Sequence, residues 1–213
     1  MAISDRADDC LYDTPIELDG SVRPYQIPSR AFHWALRAFS INPRKYHFVD
    51  IGAGWGHSML LAASYPFRQV TGIEFTAELH AKARDNVALA REAGHIKAPH
   101  INILCESPLH AKLPQGPLLL FLFRFGEPVL KEFVDRLEDS IRSHPRPVVV
   151  LYANPADRDV FAREGVVELK RRGLAGWLLR LFSPVGVRAY AFTRAPAIPA
   201  DASTSTEPAS LAA

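Results

Sequence analysis

The sequence predicts an α/β domain in which helices cover both faces of a mostly parallel sheet. Short apolar runs alternate with longer amphipathic segments between residues 47 and 152, which is the pattern of strands joined by crossover helices. Two of these runs, 117–123 and 147–152, are apolar throughout, as strands buried on both faces of a sheet are. A chain of 213 residues fits one such domain.

The elements can be predicted in order along the chain. Residues 28–40 begin with Pro28-Ser29, a pair suited to a helix N-terminus, and Asn42-Pro43 ends this helix. The later helices are predicted at 58–65, after a cap at Thr76, and at 127–143. The predicted strands are 47–51, 69–73, 101–105, 117–123, 147–152, 166–170 and 187–193.

The pattern changes after residue 156. Residues 166–170 and 187–193 alternate apolar and polar side chains, which predicts a closing antiparallel hairpin. Residues 174–182 lie between them and are apolar, so either a helix or a strand is compatible with this segment.

Three regions differ in composition. Residues 1–20 carry six acids and one arginine, which predicts a flexible acidic leader. Residues 21–194 form the single predicted domain. Residues 195–213 consist mainly of Ala, Pro, Ser and Thr, which predicts a disordered tail because few side chains there can join a core.

Charge and cysteine content narrow the function classes. The 25 Lys and Arg nearly balance the 23 Asp and Glu, so we do not expect a nucleic-acid partner. Cys10 and Cys105 provide neither a disulfide framework nor, with the eight histidines, a metal site. The polar start is no secretory signal, and no run of 18 apolar residues could span a membrane. We therefore expect a cytoplasmic protein with no membrane partner and no metal.

A glycine loop follows the first predicted strand. Phe48–Gly56 reads Phe-Val-Asp-Ile-Gly-Ala-Gly-Trp-Gly, and glycines allow a sharp turn and close approach to a ligand. Dinucleotide-binding loops have the spacing G-x-G-x-x-G, but His57 occupies the third glycine position here. Asp50, directly before the loop, suits a ligand that carries an ammonium and a sulfonium better than a pyrophosphate.

A carboxylate follows the second strand. The apolar run at 69–73 is followed by Glu74, and an acid at this place can accept hydrogen bonds from both hydroxyls of a ribose. A glycine cluster alone can be a plain strand-to-helix turn, which remains the alternative. The acids before and after the loop favour a ligand site.

These residues resemble the class I S-adenosylmethionine-dependent methyltransferases. Val49–Gly56 is similar to their first motif and Gly72–Glu74 to their second. The resemblance extends from residue 25 to residue 194, and more narrowly to a bacterial subgroup with poorly defined substrates. It implies a Rossmann-like methyltransferase sandwich whose seven-stranded, mostly parallel sheet has one antiparallel strand near the C-terminus. It also implies S-adenosyl-L-methionine as the cofactor.

Candidate cofactor residues follow the strands, because ligands of open α/β sheets bind beyond the carboxyl ends of the strands. Two of the candidates have alternative interpretations: Glu106 could be a solvated loop acid, and Tyr25 could be a core aromatic. Together with the positions already described, the resemblance implies cofactor contacts by Tyr25, Asp50, Gly52, Gly54, Gly56, Glu74, Phe75, Glu106 and Ser107.

Residues after the fourth and fifth strands are expected to face the methyl acceptor. These are Arg124, Phe125, Tyr152 and Asn154. Enzymes that methylate exocyclic amines of nucleic acids often have Asp or Asn after the fourth strand, whereas an arginine cannot accept a hydrogen bond from an amine. Arg124 could instead bind a carboxylate or phosphate.

Two further positions are expected to have local structural roles. Asn154-Pro155 is expected to make a turn and start a helix, although Asn154 could still line the substrate cavity. His57 is expected to be a capping or surface residue.

The sequence thus predicts transfer of a methyl group from S-adenosylmethionine to a nitrogen or oxygen of an unidentified acceptor, either a small molecule or a protein. Alignment of nucleophile, carbon and sulfur supplies much of the acceleration. A base is needed only if the nucleophile is protonated, and the sequence does not identify one. One alternative is a catalytically inactive methyltransferase-like domain that acts as an interaction module. Another is a nicotinamide-dependent oxidoreductase, which the missing third glycine opposes.

Overall fold

The computed structural model describes residues 26–193 and the backbone of two short strands before them. Strand β1 (Glu17–Leu18) pairs antiparallel with β2 (Ser21–Val22). The predicted tail, most of the predicted leader and the candidate cofactor residue Tyr25 lie outside the described residues.

The other elements alternate as the sequence predicts. Short 3-10 helices lie at Pro43–Lys45 and Asp159–Phe161. In chain order the elements are α1 (Ser29–Ala38), β3 (His47–Ile51), α2 (His57–Ala63), β4 (Gln69–Ile73), α3 (Ala77–Glu92), β5 (Ile101–Leu104), β6 (Leu118–Phe123), α4 (Val129–Ser143), β7 (Val148–Ala153), β8 (Val166–Glu168), α5 (Gly173–Phe182) and β9 (Val187–Phe192).

Seven strands form one sheet in the order β5-β4-β3-β6-β7-β9-β8. Strand β9 runs antiparallel to both of its neighbours, β7 and β8, and the other strand pairs are parallel. The predicted fold class is therefore confirmed, including the closing hairpin, whose two strands are joined by α5.

The core lies on both faces of the sheet, and β6 shows how the sequence divides it. Leu119 and Phe121 belong to the apolar cluster that includes α1 and α2, whereas the alternate residues Leu118, Leu120 and Leu122 belong to the cluster that includes α4. On the first face, Phe32 of α1 contacts the rings of Phe48 and Phe121 with centroids 5.8 and 5.7 Å apart. Both faces of β6 are thus buried, as its continuous apolar sequence predicts.

One local prediction is wrong, and a second is confirmed in position but not in its hydrogen bond. Asn154-Pro155 does not start a helix, because the Asn154 N–H donates to the carbonyl of Gly186 at 2.7 Å, and the next helical turn begins at Asp159. Thr76 occupies the N-cap position of α3, but its side chain makes no capping hydrogen bond. The backbone N–H of Thr76 instead donates to the carboxylate of Glu74 at 2.9 Å.

The segment 174–182, for which helix and strand were both open, belongs to helix α5. Within the described part of the chain, no helix combines the length and apolar character that crossing a bilayer requires.

Candidate functional site

The candidate site lies where the strand order changes direction. The chain proceeds from β3 through β4 to β5 on one side of the sheet, and then returns to place β6 on the other side of β3. In open α/β sheets, the crevice beyond the carboxyl ends of strands at such a switch is the usual place for a ligand. The loops after β3 and β6 flank this crevice.

The loop after β3 depends on three glycines. Gly52, Gly54 and Gly56 have φ angles of 76°, 54° and 83°, a left-handed conformation that glycine adopts without steric cost. The loop is anchored to the neighbouring strand because the N–H groups of Gly52 and Ala53 both donate to the carbonyl of Ile73, at 2.9 and 3.0 Å. Sequence and backbone therefore agree on where the chain turns.

Glu74 connects the glycine loop to the start of α3. Its side chain is buried, with 4% exposure. Oε2 accepts from the Gly54 N–H at 2.8 Å, and Oε1 accepts from the Thr76 N–H at 2.9 Å. Each carboxylate oxygen has two lone pairs, so each retains acceptor capacity for a further donor.

Asp50 places a second carboxyl group beneath the loop. The side chain is 3% exposed, and its Oδ2 has no hydrogen-bond partner among the described residues. The pKa of Asp50 is raised to about 8, mainly by burial; a hydrogen bond from the Met59 backbone opposes the rise, and the negative charge of Glu74 adds to it. A cation brought next to Asp50 would favour its ionised form.

Gly72 allows helix α2 to pack against the sheet. A Cβ atom at Gly72 would lie 2.7 Å from Sδ of Met59 and 3.0 Å from Cβ of Ala53. Both distances are shorter than the contacts that packed carbon and sulfur atoms make. The glycine of the second motif therefore serves packing behind the loop.

Contacts from α3 and from the segment before α1 also hold the glycine loop and the start of α2 in place. The carbonyl of Trp55 accepts from Asn86 Nδ2 of α3 at 2.9 Å, and Lys82 Nζ lies 5.0 Å from the centroid of the Trp55 ring. His57 Nε2 lies 3.0 Å from the carbonyl of Ile27. Because a carbonyl only accepts, Nε2 carries the proton in this bond, which links α2 to the segment before α1.

The candidates after β4 and β5 lie nearer to solvent. Phe75 is 71% exposed beside the buried Glu74. Glu106 is also exposed, and Ser107 is half-buried. The Ser107 hydroxyl accepts from the Leu109 N–H at 3.3 Å, so it stabilises the turn that follows β5.

The loop after β6 reaches across the crevice. The backbone of Arg124 has a φ of 51°, and its N–H donates to the carbonyl of Ala153 at 3.1 Å. Cε2 of Phe125 is 3.6 Å from the position that a Cβ of Gly52 would occupy. Phe125 thus brings the loop after β6 against the glycine loop, while the Arg124 side chain is exposed.

Tyr152 joins the loops after β6 and β7. The fully buried residue donates its hydroxyl hydrogen to the carbonyl of Phe125. The same oxygen accepts from the N–H groups of Ala156 and Asp157, at 3.1 and 3.3 Å. This hydroxyl is occupied in positioning loops, so Tyr152 does not present it to the crevice. Asn154, with a φ of 47°, lies half-buried between these contacts.

The structure thus brings most of the sequence candidates to one edge of the sheet. Within residues 26–193, no cluster of three or more His, Cys, Asp or Glu side chains could hold a metal ion. Met59, Lys82 and Asn86 also support the loop, and they are not among the residues predicted from the sequence. Lys82 and Asn86 could have been found from their four-residue spacing on the predicted third helix, because this spacing places both side chains on one helix face.

Comparison with known proteins supports the fold. No protein-family model matches the sequence, and no curated protein does. Among solved structures, the chain is similar to the Escherichia coli protein yhhF, described as a methyltransferase, with a TM-score of 0.54 and 14% identity over 85% of this chain and 98% of the other.

Two further solved structures have a similar fold. The methyltransferase domain of a bacterial Hen1 protein has a TM-score of 0.51 and 15% identity, over 78% of this chain and 97% of that domain. A Haemophilus influenzae protein described as a methylase also has a TM-score of 0.51, with 13% identity over 78% of this chain and 100% of the other. The chain therefore has the fold that these class I methyltransferase structures share.

Proposed function

We propose that this protein transfers a methyl group from S-adenosyl-L-methionine to a nitrogen or oxygen of a small molecule or protein. The observation that carries the proposal is the arrangement of two buried acids, Asp50 and Glu74, around a loop of three left-handed glycines at the strand-order switch. The fold shared with methyltransferase structures supports the same conclusion.

The residues of the crevice fit this cofactor. Asp50 has a buried carboxyl oxygen without a partner among the described residues, which suits a cationic group. Glu74 has remaining acceptor capacity for ribose hydroxyls, and the glycine loop permits close approach. The exposed Phe75 ring and the exposed Glu106 would lie toward the adenine, with Ser107 shaping the turn beside it.

The bound cofactor would supply a methyl group activated by a sulfonium. The contribution of the chain is to align the acceptor with that group and to exclude water from the crevice. Phe125 closes the crevice beside Gly52 of the glycine loop. Arg124, exposed at the end of β6, supports an acceptor that carries a carboxylate or phosphate, because a guanidinium pairs with such groups in a bidentate manner.

A second candidate function is an inactive domain that binds the cofactor without turning it over. Arg124 favours this candidate. It directly follows β6, where the methyl acceptor is expected, and its guanidinium cannot accept a hydrogen bond from a nucleophile. This candidate shares the cofactor contacts, so binding alone does not separate the two.

Transfer of a labelled methyl group separates them. The protein is incubated with labelled S-adenosylmethionine and a cell extract divided into small-molecule, protein and nucleic-acid fractions. We expect label in the small-molecule or protein fraction, and none with Glu74→Ala. Label in the nucleic-acid fraction would contradict the proposed acceptor class. Cofactor binding with no label in any fraction would favour the inactive domain.

A further inference from the structure

Helix α5 packs against α1 through one side only. The N–H of Arg172, at the start of α5, donates to the carbonyl of Ala38, at the end of α1, at 2.8 Å. The buried residues of α5 are Gly176 and Leu179, three positions apart and therefore on one face. The opposite face of the helix is turned outward.

Large apolar side chains occupy that outward face. Leu174, Trp177, Leu181 and Phe182 are 71%, 53%, 53% and 60% exposed, and we call these four residues the α5 apolar stripe. Leu174, Trp177 and Leu181 follow a spacing of three and four, which aligns them along the helix. The ring of Trp177 contacts that of Phe182 edge-on, with centroids 5.7 Å apart.

The stripe differs from the other exposed apolar positions. The remaining large exposed apolar residues of the described chain are distributed over four separate elements or loops: Phe75, Leu89, Val129 and Val167. Single exposed apolar residues are normal, whereas a contiguous patch marks a surface that meets another apolar phase.

The charge around the stripe is positive. Neither α1 nor α5 contains an Asp or Glu. Exposed arginines border the helix pair and, within residues 26–193, form no ion pair with an acid: Arg30, Arg37, Arg171, Arg172 and Arg180. By contrast, α4 on the other face of the sheet carries four acids: Glu132, Asp135, Glu138 and Asp139.

Contrary to the sequence-based expectation of no membrane partner, we propose that the α5 apolar stripe and the bordering arginines dock this protein on the surface of a bilayer that contains anionic lipids. Trp, Phe and Leu on one side of a helix, with arginines beside them, are the composition of helices that lie in the membrane interface. The rings and leucines enter the boundary of the acyl chains, and the guanidinium groups bind lipid phosphates.

Two other occupants, a nucleic acid and a second copy of the chain, satisfy only part of this surface. A nucleic acid offers phosphates to the arginines but no hydrocarbon to Leu174 and Leu181. A second copy placed with α5 against α5 would bring Arg172 and Arg180 of both copies close together, and like charges across an interface oppose association. A bilayer with anionic headgroups meets both the apolar and the cationic side chains.

The docking face continues into the candidate site. Helix α5 ends at Phe182, and β9 begins at Val187 beside Ala153, the last residue of β7. Gly186, between them, accepts a hydrogen bond from Asn154. Docking through α5 therefore places the sheet edge after β7 close to the bilayer surface. The inference rests on the surface alone and does not depend on the proposed function.

Sedimentation of the full chain with vesicles tests the docking. Vesicles of phosphatidylcholine alone are compared with vesicles that also contain phosphatidylglycerol, and the fluorescence of Trp177 is recorded in parallel as the difference between the wild type and Trp177→Phe, because Trp34 and Trp55 also emit. We expect binding and a blue shift with phosphatidylglycerol only, weakened by high salt. Leu174→Ser with Leu181→Ser should lower the lipid affinity by about tenfold or more. The matched pair Leu89→Ser with Val129→Ser should bind as the wild type does.

A second pair of variants tests the charge. Arg172→Gln with Arg180→Gln should lower affinity by about tenfold, whereas Arg91→Gln with Arg136→Gln, on other helices, should not. Three results would overturn the proposal: no binding of the folded wild type to phosphatidylglycerol vesicles, unchanged binding by the leucine variants, or self-association that those variants abolish. Binding of single-stranded RNA that requires the arginines but not the leucines, without vesicle binding, would also overturn it.

Discussion

Oε2 of Glu74 accepts a hydrogen bond from the backbone N–H of Gly54 at 2.8 Å. The acid after β4 therefore holds the glycine loop after β3, in addition to any contact it makes with a ribose. Its other oxygen holds the start of α3 through Thr76. One side chain thus connects the three segments that border the cofactor half of the crevice.

Replacement of Glu74 by Ala should affect both stability and binding. Two backbone N–H groups lose their acceptor, which should lower the free energy of unfolding by about 1–3 kcal/mol. Calorimetric titration with S-adenosylhomocysteine should show no binding at temperatures where the variant remains folded. Glu78→Ala, which removes an acid on the exposed face of α3, is the control and should bind normally. Unchanged affinity in Glu74→Ala would show that Glu74 does not hold the ligand.

Asp50→Asn should change how stability depends on pH. Because the pKa of Asp50 rises from 3.8 to about 8 on folding, the folded chain keeps a proton that the unfolded chain releases between these values. The free energy of unfolding should therefore fall as pH rises through this window. Denaturant unfolding across that range should show this fall in the wild type and a smaller one in Asp50→Asn. Parallel profiles for the two proteins would contradict a raised pKa.

Gly72→Ala should destabilise the domain by about 1–3 kcal/mol, as overpacking does. The added methyl group would lie 2.7 Å from Met59 Sδ and 3.0 Å from Ala53 Cβ, so the buried Met59 side chain must shift and the glycine loop at Ala53 must give way slightly. Urea unfolding measures the loss. Gly126→Ala is the matched control, since nothing lies within 4 Å of a Cβ there. Equal stability of the two variants would mean that the packing behind the loop tolerates the methyl group.

Tyr152→Phe should loosen the acceptor half of the site and leave cofactor binding intact. The change removes a donor to the Phe125 carbonyl and an acceptor for two N–H groups, at a cost of about 1–3 kcal/mol. We expect lower methyl transfer with unchanged affinity for S-adenosylhomocysteine. Tyr190→Phe is the control, because the Tyr190 hydroxyl makes no hydrogen bond within residues 26–193 and its ring stacks on Phe161. Equal transfer by both variants would exclude this positioning role.

The comparison of sequence with structure shows which features are locally encoded. Strand Gln69–Ile73 was predicted with its observed bounds, because a short apolar run bounded by polar residues has few alternatives. The segment 174–182 could not be assigned, because apart from Arg180 it is apolar and shows no clear helix or strand period. Its helix is defined by packing against α1, which buries Gly176 and Leu179 and leaves the α5 apolar stripe outside.

Where the local predictions differ from the structure, other hydrogen bonds have replaced the expected ones. Asn154-Pro155 has the composition of a helix start, but Asn154 bonds to Gly186 and the Tyr152 hydroxyl takes the next two N–H groups. The expected capping bond of Thr76 is likewise absent, while its N–H is bound by Glu74. Sequence motifs located the acids and glycines, whereas the hydrogen bonds that tie their loops together required the tertiary structure.

Thermal unfolding of the protein with S-adenosylmethionine, S-adenosylhomocysteine and NAD tests the central claim most directly. A ligand at a hundred times its Kd stabilises the folded state by about 2.7 kcal/mol, which for a domain of this size raises Tm by roughly 5–10 °C. We expect that rise with both adenosyl sulfur ligands and none with NAD. A rise with NAD alone, or no shift with either sulfur ligand at saturating concentration, would contradict the proposed cofactor and with it the proposed function.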